Sequence, residues 1–122
     1  MKIELVKINE LTREDITEGR KYVLTEYTIG NYKVEHLVTC FNGYVEPSIN
    51  INVSLNWEDH HENYLPEIYF NDMFKPKKDR YYFSIQTTSY GSLRPDAIEK
   101  IVAGYQQALA VVEALTEKFI EE

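Results

Sequence analysis

Between Pro95 and Ile120 the apolar residues Ile98, Ile101, Val102, Tyr105, Ala108, Leu109, Val112, Leu115 and Phe119 recur at steps of three and four. That spacing puts them on one stripe of a 3.6-residue helix. Glu99, Lys100, Gln106, Gln107, Glu113 and Glu117 fall on the other side, so the helix is amphipathic and lies on something rather than inside it. Gly91 and Ser92 break the chain before it, and Pro95 suits a first-turn position where its missing N–H costs nothing. Asp96 and Glu99 sit near the positive end of the helix dipole. Gly104 costs about 1 kcal/mol against alanine and admits a close neighbour. At the far end Glu117, Glu121 and Glu122 crowd the negative end, opposed by Lys118. This end reads as a frayed, solvated terminus; the alternative is an acidic tip that meets a basic partner. Roughly 25 residues at 1.5 Å each give a rod of about 37 Å, long enough to cross a sheet. No other stretch of the chain is able to cover one.

The remainder of the chain reads mainly as strands. Residues 2–9 form a first strand. Thr12 is a good N-cap, Glu14 and Asp15 occupy a first turn, Leu11 and Ile16 take hydrophobic-staple positions, and Gly19 is placed to end the element. One or two turns of helix, or a capped turn, are expected there. Lys21 to Ile29 and Tyr32 to Phe41 flank Gly30-Asn31, a strong two-residue hairpin signal. Asn42-Gly43 signals a second turn. Ile49, Ile51, Val53, Leu55 and Trp57 then alternate with Asn50, Asn52, Ser54 and Asn56, which makes one strand face apolar and the other polar. The apolar face is expected to meet the C-terminal helix, and the polar face to look at water or a partner. Glu67 to Asn71 is a short strand, and Arg80 to Tyr90 a last one with Tyr81, Phe83 and Ile85 on one side and Tyr82 and Ser84 on the other.

A run of strands followed by one long helix is an α+β arrangement. The expected structure is a single domain over residues 1–122. It has an antiparallel, meander-like sheet of about five or six strands with the long C-terminal helix packed on one face, and a short helical turn near the N-terminus. The chain of 122 residues, 43% of them apolar, is enough for one core.

Charge narrows the function classes. The net charge is −7, with 20 acids against 13 bases. Binding to nucleic acid is driven by phosphate neutralisation, so no direct nucleic-acid partner is expected. Lys75, Lys77, Lys78 and Arg80 form the one basic cluster, next to Tyr81 and Tyr82, but Asp72 and Asp79 flank it. It reads as a solvated loop, with single-strand stacking as the minor alternative. No apolar run reaches the length of a membrane span. Met1 to Asn9 alternates apolar with charged residues and shows no signal-peptide core, so a cytoplasmic, membrane-free protein is expected. A single cysteine, Cys40, fits that reading and makes no zinc set.

Trp57-Glu58-Asp59-His60-His61-Glu62 is the most chemically loaded stretch. Carboxylates and imidazoles bind metals, and a catalytic zinc or iron site needs about three of them. Adjacent histidines on a strand point to opposite faces, however, and no His-x-Glu, His-Glu-x-x-His or Cys-x-x-Cys spacing occurs. The stretch reads as a polar loop. His36 and Cys40 lie on one strand face but roughly 13 Å apart, too far for a thiolate–imidazole pair. The scattered glycines form no phosphate loop, and no cofactor is expected.

The leading function is a small, acidic, non-enzymatic protein-interaction module, an inhibitor or adaptor that occupies the basic surface of a nucleic-acid-binding protein. Its expected contacts are Asn50, Asn52, Asn56 and Tyr82 on sheet faces, and Glu58, Asp59 and Glu62 in the acidic loop. Ten tyrosines suit this, since tyrosine offers contact area at low entropic cost. The alternative is a small-ligand- or metal-binding enzyme using His60 and His61. Exposed strand edges also allow a homodimer.

Overall fold

The computed structural model describes residues 3–46, 49–56, 64–72 and 81–121. Five antiparallel strands form the main sheet: β1 (Val6–Asp15), β2 (Arg20–Ile29), β3 (Tyr32–Phe41), β4 (Tyr44–Val45) and β5 (Asn50–Leu55). The order runs β1-β2-β3, and β3 then pairs with β4 at one end and β5 at the other. β6 (Ile68–Asp72) and β7 (Tyr81–Ile85) pair as a separate two-stranded sheet, and α1 (Pro95–Phe119) closes the chain. The α+β class and the antiparallel pairing match the expectation from sequence. The single meander does not: among the described residues, β6 and β7 pair only with each other.

Two hairpin turns form where the residue pairs demand them. Gly30 takes φ +56° and aligns Ile29 with Tyr32. Asn42 and Gly43 both take positive φ, 48° and 83°, and join β3 to β4. Both pairs put Gly or Asn where the backbone must turn left-handed to match strand twist.

The expected N-terminal helical turn is absent. β1 starts later than the sequence implies and runs straight through Thr12–Asp15, pairing Leu11, Thr12 and Arg13 with Leu24, Val23 and Tyr22. The capping residues serve a different turn. Asp15 Oδ1 accepts from the Glu18 N–H at 3.2 Å, and Gly19 takes φ +68°. Asp and Thr favour local side-chain-to-backbone bonds in turns as much as at helix starts, and a ladder of cross-strand bonds outweighs a few helical ones.

α1 keeps its expected limits, with Pro95 in the first turn. Its buried face is rotated relative to the expected stripe. Gly104, Ala108, Ala110, Val111, Leu115 and Phe119 are buried, while Ile98, Val102 and Leu109 are about half exposed. Small residues at 104 and 108 permit close approach, so that side of the helix beds down. Phe119 and Ile120 are buried, and the Phe119 ring stands 5.9 Å edge-on from Tyr27 and 4.9 Å from His36.

The core joins all layers. Ile29, Tyr32 and Val34 of the large sheet and Ile68 and Phe83 of the small one share a cluster with Ala108, Val111 and Leu115 of the helix. Ile51, Val53 and Leu55 pack against it, while Asn50, Asn52 and Ser54 are exposed, as the alternation predicts. Tyr32, fully buried, donates its hydroxyl to the Pro66 carbonyl at 2.6 Å and so ties the large sheet to the start of β6. Two bonds fix the helix: the Asn31 N–H donates to Gln107 Oε1 at 2.8 Å, and the Thr88 N–H to the Tyr105 hydroxyl at 3.0 Å. Among the described residues, no helix is long and apolar enough to cross a membrane.

Candidate interaction surface

Alternation along β2 and β3 sends Thr25, Tyr27 and Ile29, with Tyr32, Val34 and His36, to the helix side. Their neighbours in sequence form the opposite, helix-free face. Strand register arranges that face in rows. Leu11, Leu24, Leu37 and Asn50 make one row across β1, β2, β3 and β5. The adjacent row is Asn9, Glu26, Glu35 and Asn52. On the other side of the leucines come Arg13, Tyr22 and Thr39, and beyond them Asp15, Arg20, Phe41 and Tyr44.

The leucine row is an apolar ladder bordered by polar groups, and no element of the described chain covers it. Leu11 is 53% exposed and Phe41 45%. One shallow depression on this face is lined by Leu24, Glu35, Leu37, Asn50 and Asn52, and a second by Leu11, Arg13, Tyr22 and Leu24. Within the neighbouring row Glu26 and Glu35 are direct cross-strand partners. Directly opposed side chains have Cβ atoms about 4.5–5.5 Å apart, and like charges there destabilise the pairing.

The charged end of the face is held together locally. The Arg20 guanidinium lies 5.7 Å from the Phe41 ring centre. A hydrogen bond with Tyr22, and more weakly the charge of Glu18, hold its proton more tightly than usual. Arg20 also lies 3.6 Å from Glu18. At the other end of β1, Lys7 bonds Glu10 at 2.6 Å, which raises the Lys7 pKa. Among the described strands, β1 lies at one edge of the sheet. Its register shift between Lys7 and Asn9 and its charges are features that discourage another strand from adding to it.

The residues expected at the site fall in three places. Asn50 and Asn52 end the leucine and glutamate rows, on the exposed face. Asn56, just past β5, is half-buried, and its N–H donates to the Asn31 carbonyl at 2.8 Å. That bond fastens the strand end, so Asn56 is a structural residue at that atom. Tyr82 is 47% exposed but belongs to β7 in the second sheet, away from the leucine row. Glu58, Asp59 and Glu62 lie outside the described residues, as do His60, His61 and the basic cluster Lys75 to Arg80. Among the described residues, no group of three His, Cys, Asp or Glu side chains is arranged to hold a metal. His36 opposes Thr25 in register rather than Glu26, and its ring packs on Phe119.

A further open groove is lined by Tyr64, Leu65, Glu67, Gln86, Thr88 and Tyr90. Beside it Tyr69 donates its hydroxyl to Glu67 Oε2 at 2.6 Å, and that bond raises the phenol pKa. The titratable residues of the groove's described lining are Tyr64, Glu67 and Tyr90.

Leu11, Leu24, Leu37, Glu26 and Glu35 were not among the residues expected at a site. The turn at Gly30-Asn31 carried the signal, because counting back from it along both strands sets Leu24 against Leu37 and Glu26 against Glu35. Leu11 was hidden by the expected helical turn. The chain has no significant match among known protein families, curated proteins or solved structures.

Proposed function

We propose that this chain is a small, acidic, non-enzymatic protein-interaction module that docks a partner with a basic surface onto the helix-free face of its large sheet. One observation carries the reading: Glu26 and Glu35 oppose each other in register beside a row of leucines in which Leu11 is exposed and Leu24 and Leu37 are half-buried. The pair costs the isolated chain stability. A lysine or arginine from a partner would relieve the repulsion, and its aliphatic stem would lie along Leu24 and Leu37. The net charge of −7 acts in the same direction by attracting basic proteins at long range. Asn50 and Asn52 would form a hydrogen-bonding rim around the apolar contact. Basic protein surfaces are those that neutralise phosphate, so the partner class includes nucleic-acid-binding proteins, whose basic surface the module would occupy as an inhibitor or adaptor.

Affinity capture from the native lysate tests this with four baits: wild type, Glu26→Gln with Glu35→Gln, Leu24→Thr with Leu37→Thr, and Tyr82→Ala. Threonine keeps strand propensity while removing the apolar bulk. The expected result is one basic protein retained by wild type and Tyr82→Ala, released by salt and lost from both double variants. The captured protein should then lose nucleic-acid binding when the module is added. Equal retention by all four baits would contradict the sheet-face reading.

A further inference from the structure

α1 carries two apolar stripes; the fold buries one and covers the other only in part. Gly104, Ala108, Val111, Leu115 and Phe119 are buried along the first, and Ala110 is buried as well. Beside them Ile98, Val102 and Leu109 remain 48%, 51% and 52% exposed; half-buried Tyr105, whose hydroxyl accepts from the Thr88 N–H, and half-buried Val112, which packs against the core, complete a spacing of four, three, four and three. That alternation is the heptad seam of a helix that packs on another helix. From Ile98 to Val112 it runs about 21 Å at 1.5 Å per residue. It belongs to the helix, whereas the leucine row belongs to the opposite side of the sheet.

The flanks decide what fits. Glu99 lies three residues before Val102, Gln106 four after it, and Glu113 four after Leu109, so all three border one side of the seam. All three are exposed. The other side is the protein itself. The open border is therefore acidic or neutral along its whole length.

We infer that this seam is a second docking surface, which binds one amphipathic helix of a protein partner with leucine- or isoleucine-type anchors and a lysine- or arginine-rich flank. The anchors would insert around Ile98, Val102 and Leu109, spaced i, i+4 and i+11, and the basic flank would meet Glu99 and Glu113. An antiparallel pairing with a second copy would set the acidic border against itself, so charge disfavours the symmetric occupant. The same border repels anionic lipid.

The test uses the full chain and two synthetic helical peptides with an identical leucine seam. One has lysine and arginine flanks, the other glutamate flanks. Fluorescence anisotropy is followed at low and moderate salt. The basic peptide is expected to bind at least about tenfold more tightly than the acidic one, a difference of about 1.4 kcal/mol. Val102→Gln with Leu109→Gln, at exposed positions with good helix formers, should weaken it about tenfold with the melting curve unchanged. Glu99→Lys with Glu113→Lys should reverse the peptide preference. These variants leave the sheet-face capture intact, so the two surfaces fail or succeed separately. The inference is overturned if the basic peptide does not bind, if both peptides bind alike, or if the glutamine variant binds as wild type does. Self-association through the seam, or preferential binding to phosphatidylserine vesicles, would equally overturn it.

Discussion

Removing one oxygen atom, in Tyr32→Phe, should separate the layers of this fold energetically. The Tyr32 hydroxyl is buried and donates at 2.6 Å to the carbonyl of Pro66, itself fully buried. Phenylalanine keeps the ring and its packing but leaves that carbonyl without the donor. A buried acceptor stripped of its partner costs about 1–3 kcal/mol. For a chain of this size that corresponds to about 3–5 °C in Tm per kcal/mol. Urea denaturation at neutral pH should show a lower midpoint with an unchanged slope. The exposed Tyr82→Phe should stay within about 0.5 kcal/mol of wild type. The pH dependence adds a second signature. Burial raises the Tyr32 pKa above its ordinary 10.0. A raised folded-state pKa means that the contribution is complete below the unfolded-state value and is lost as pH climbs from there toward the folded-state value. The gap between wild type and Tyr32→Phe should therefore be constant below pH 10 and shrink above it. Equal stability of the two proteins at neutral pH, or a gap that widens in alkali, would refute the bond's role in fastening the small sheet.

Three further outcomes follow from the packing. Replacing Glu26 or Glu35 with glutamine should raise stability by about 0.2–1 kcal/mol, since an opposed like-charge pair is removed; chemical denaturation at low salt reads it, and a loss of stability would mean that the pair is not repulsive. Leu115→Ala should cost about 2.7–5 kcal/mol, because Leu115 is fully buried, whereas Leu109→Ala should cost under about 1 kcal/mol; similar losses would contradict the helix orientation. Gly30→Ala should destabilise by about 1–2 kcal/mol from the left-handed backbone alone. The new Cβ would also meet Gln107 Oε1 at 2.5 Å and Ile3 Cδ1 at 2.7 Å, so thermal melting should show a clear drop.

Strong local signals carried over from sequence to structure. The helix limits follow from Pro95 and the apolar period, the β2–β3 hairpin from Gly30-Asn31, and the inward face of β5 from strict alternation. What failed depended on contacts between distant segments. Thr12, Glu14 and Asp15 satisfy the local grammar of a helix start, yet pairing with β2 makes them strand. Helical period alone places Ile98 and Leu115 on one stripe, and only the bedding of Gly104 and Ala108 decides that Leu115 is buried while Ile98 stays half exposed. Asn50 and Asn52 were readable as an exposed face because their own strand alternates. Leu24 against Leu37 and Glu26 against Glu35 follow from the hairpin register of β2 and β3, whereas placing Leu11 in the row also needed the pairing of β1 with β2.

Side-chain footprinting by hydroxyl radicals, on the module alone and bound to the protein it captures, tests the central claim most directly, because it reports which sheet face becomes covered. The account predicts that labelling of Leu11, Leu24, Leu37 and Phe41 falls in the complex while that of Tyr82 does not change. Unchanged labelling at Leu24 and Leu37, with protection confined to the second sheet, would contradict it.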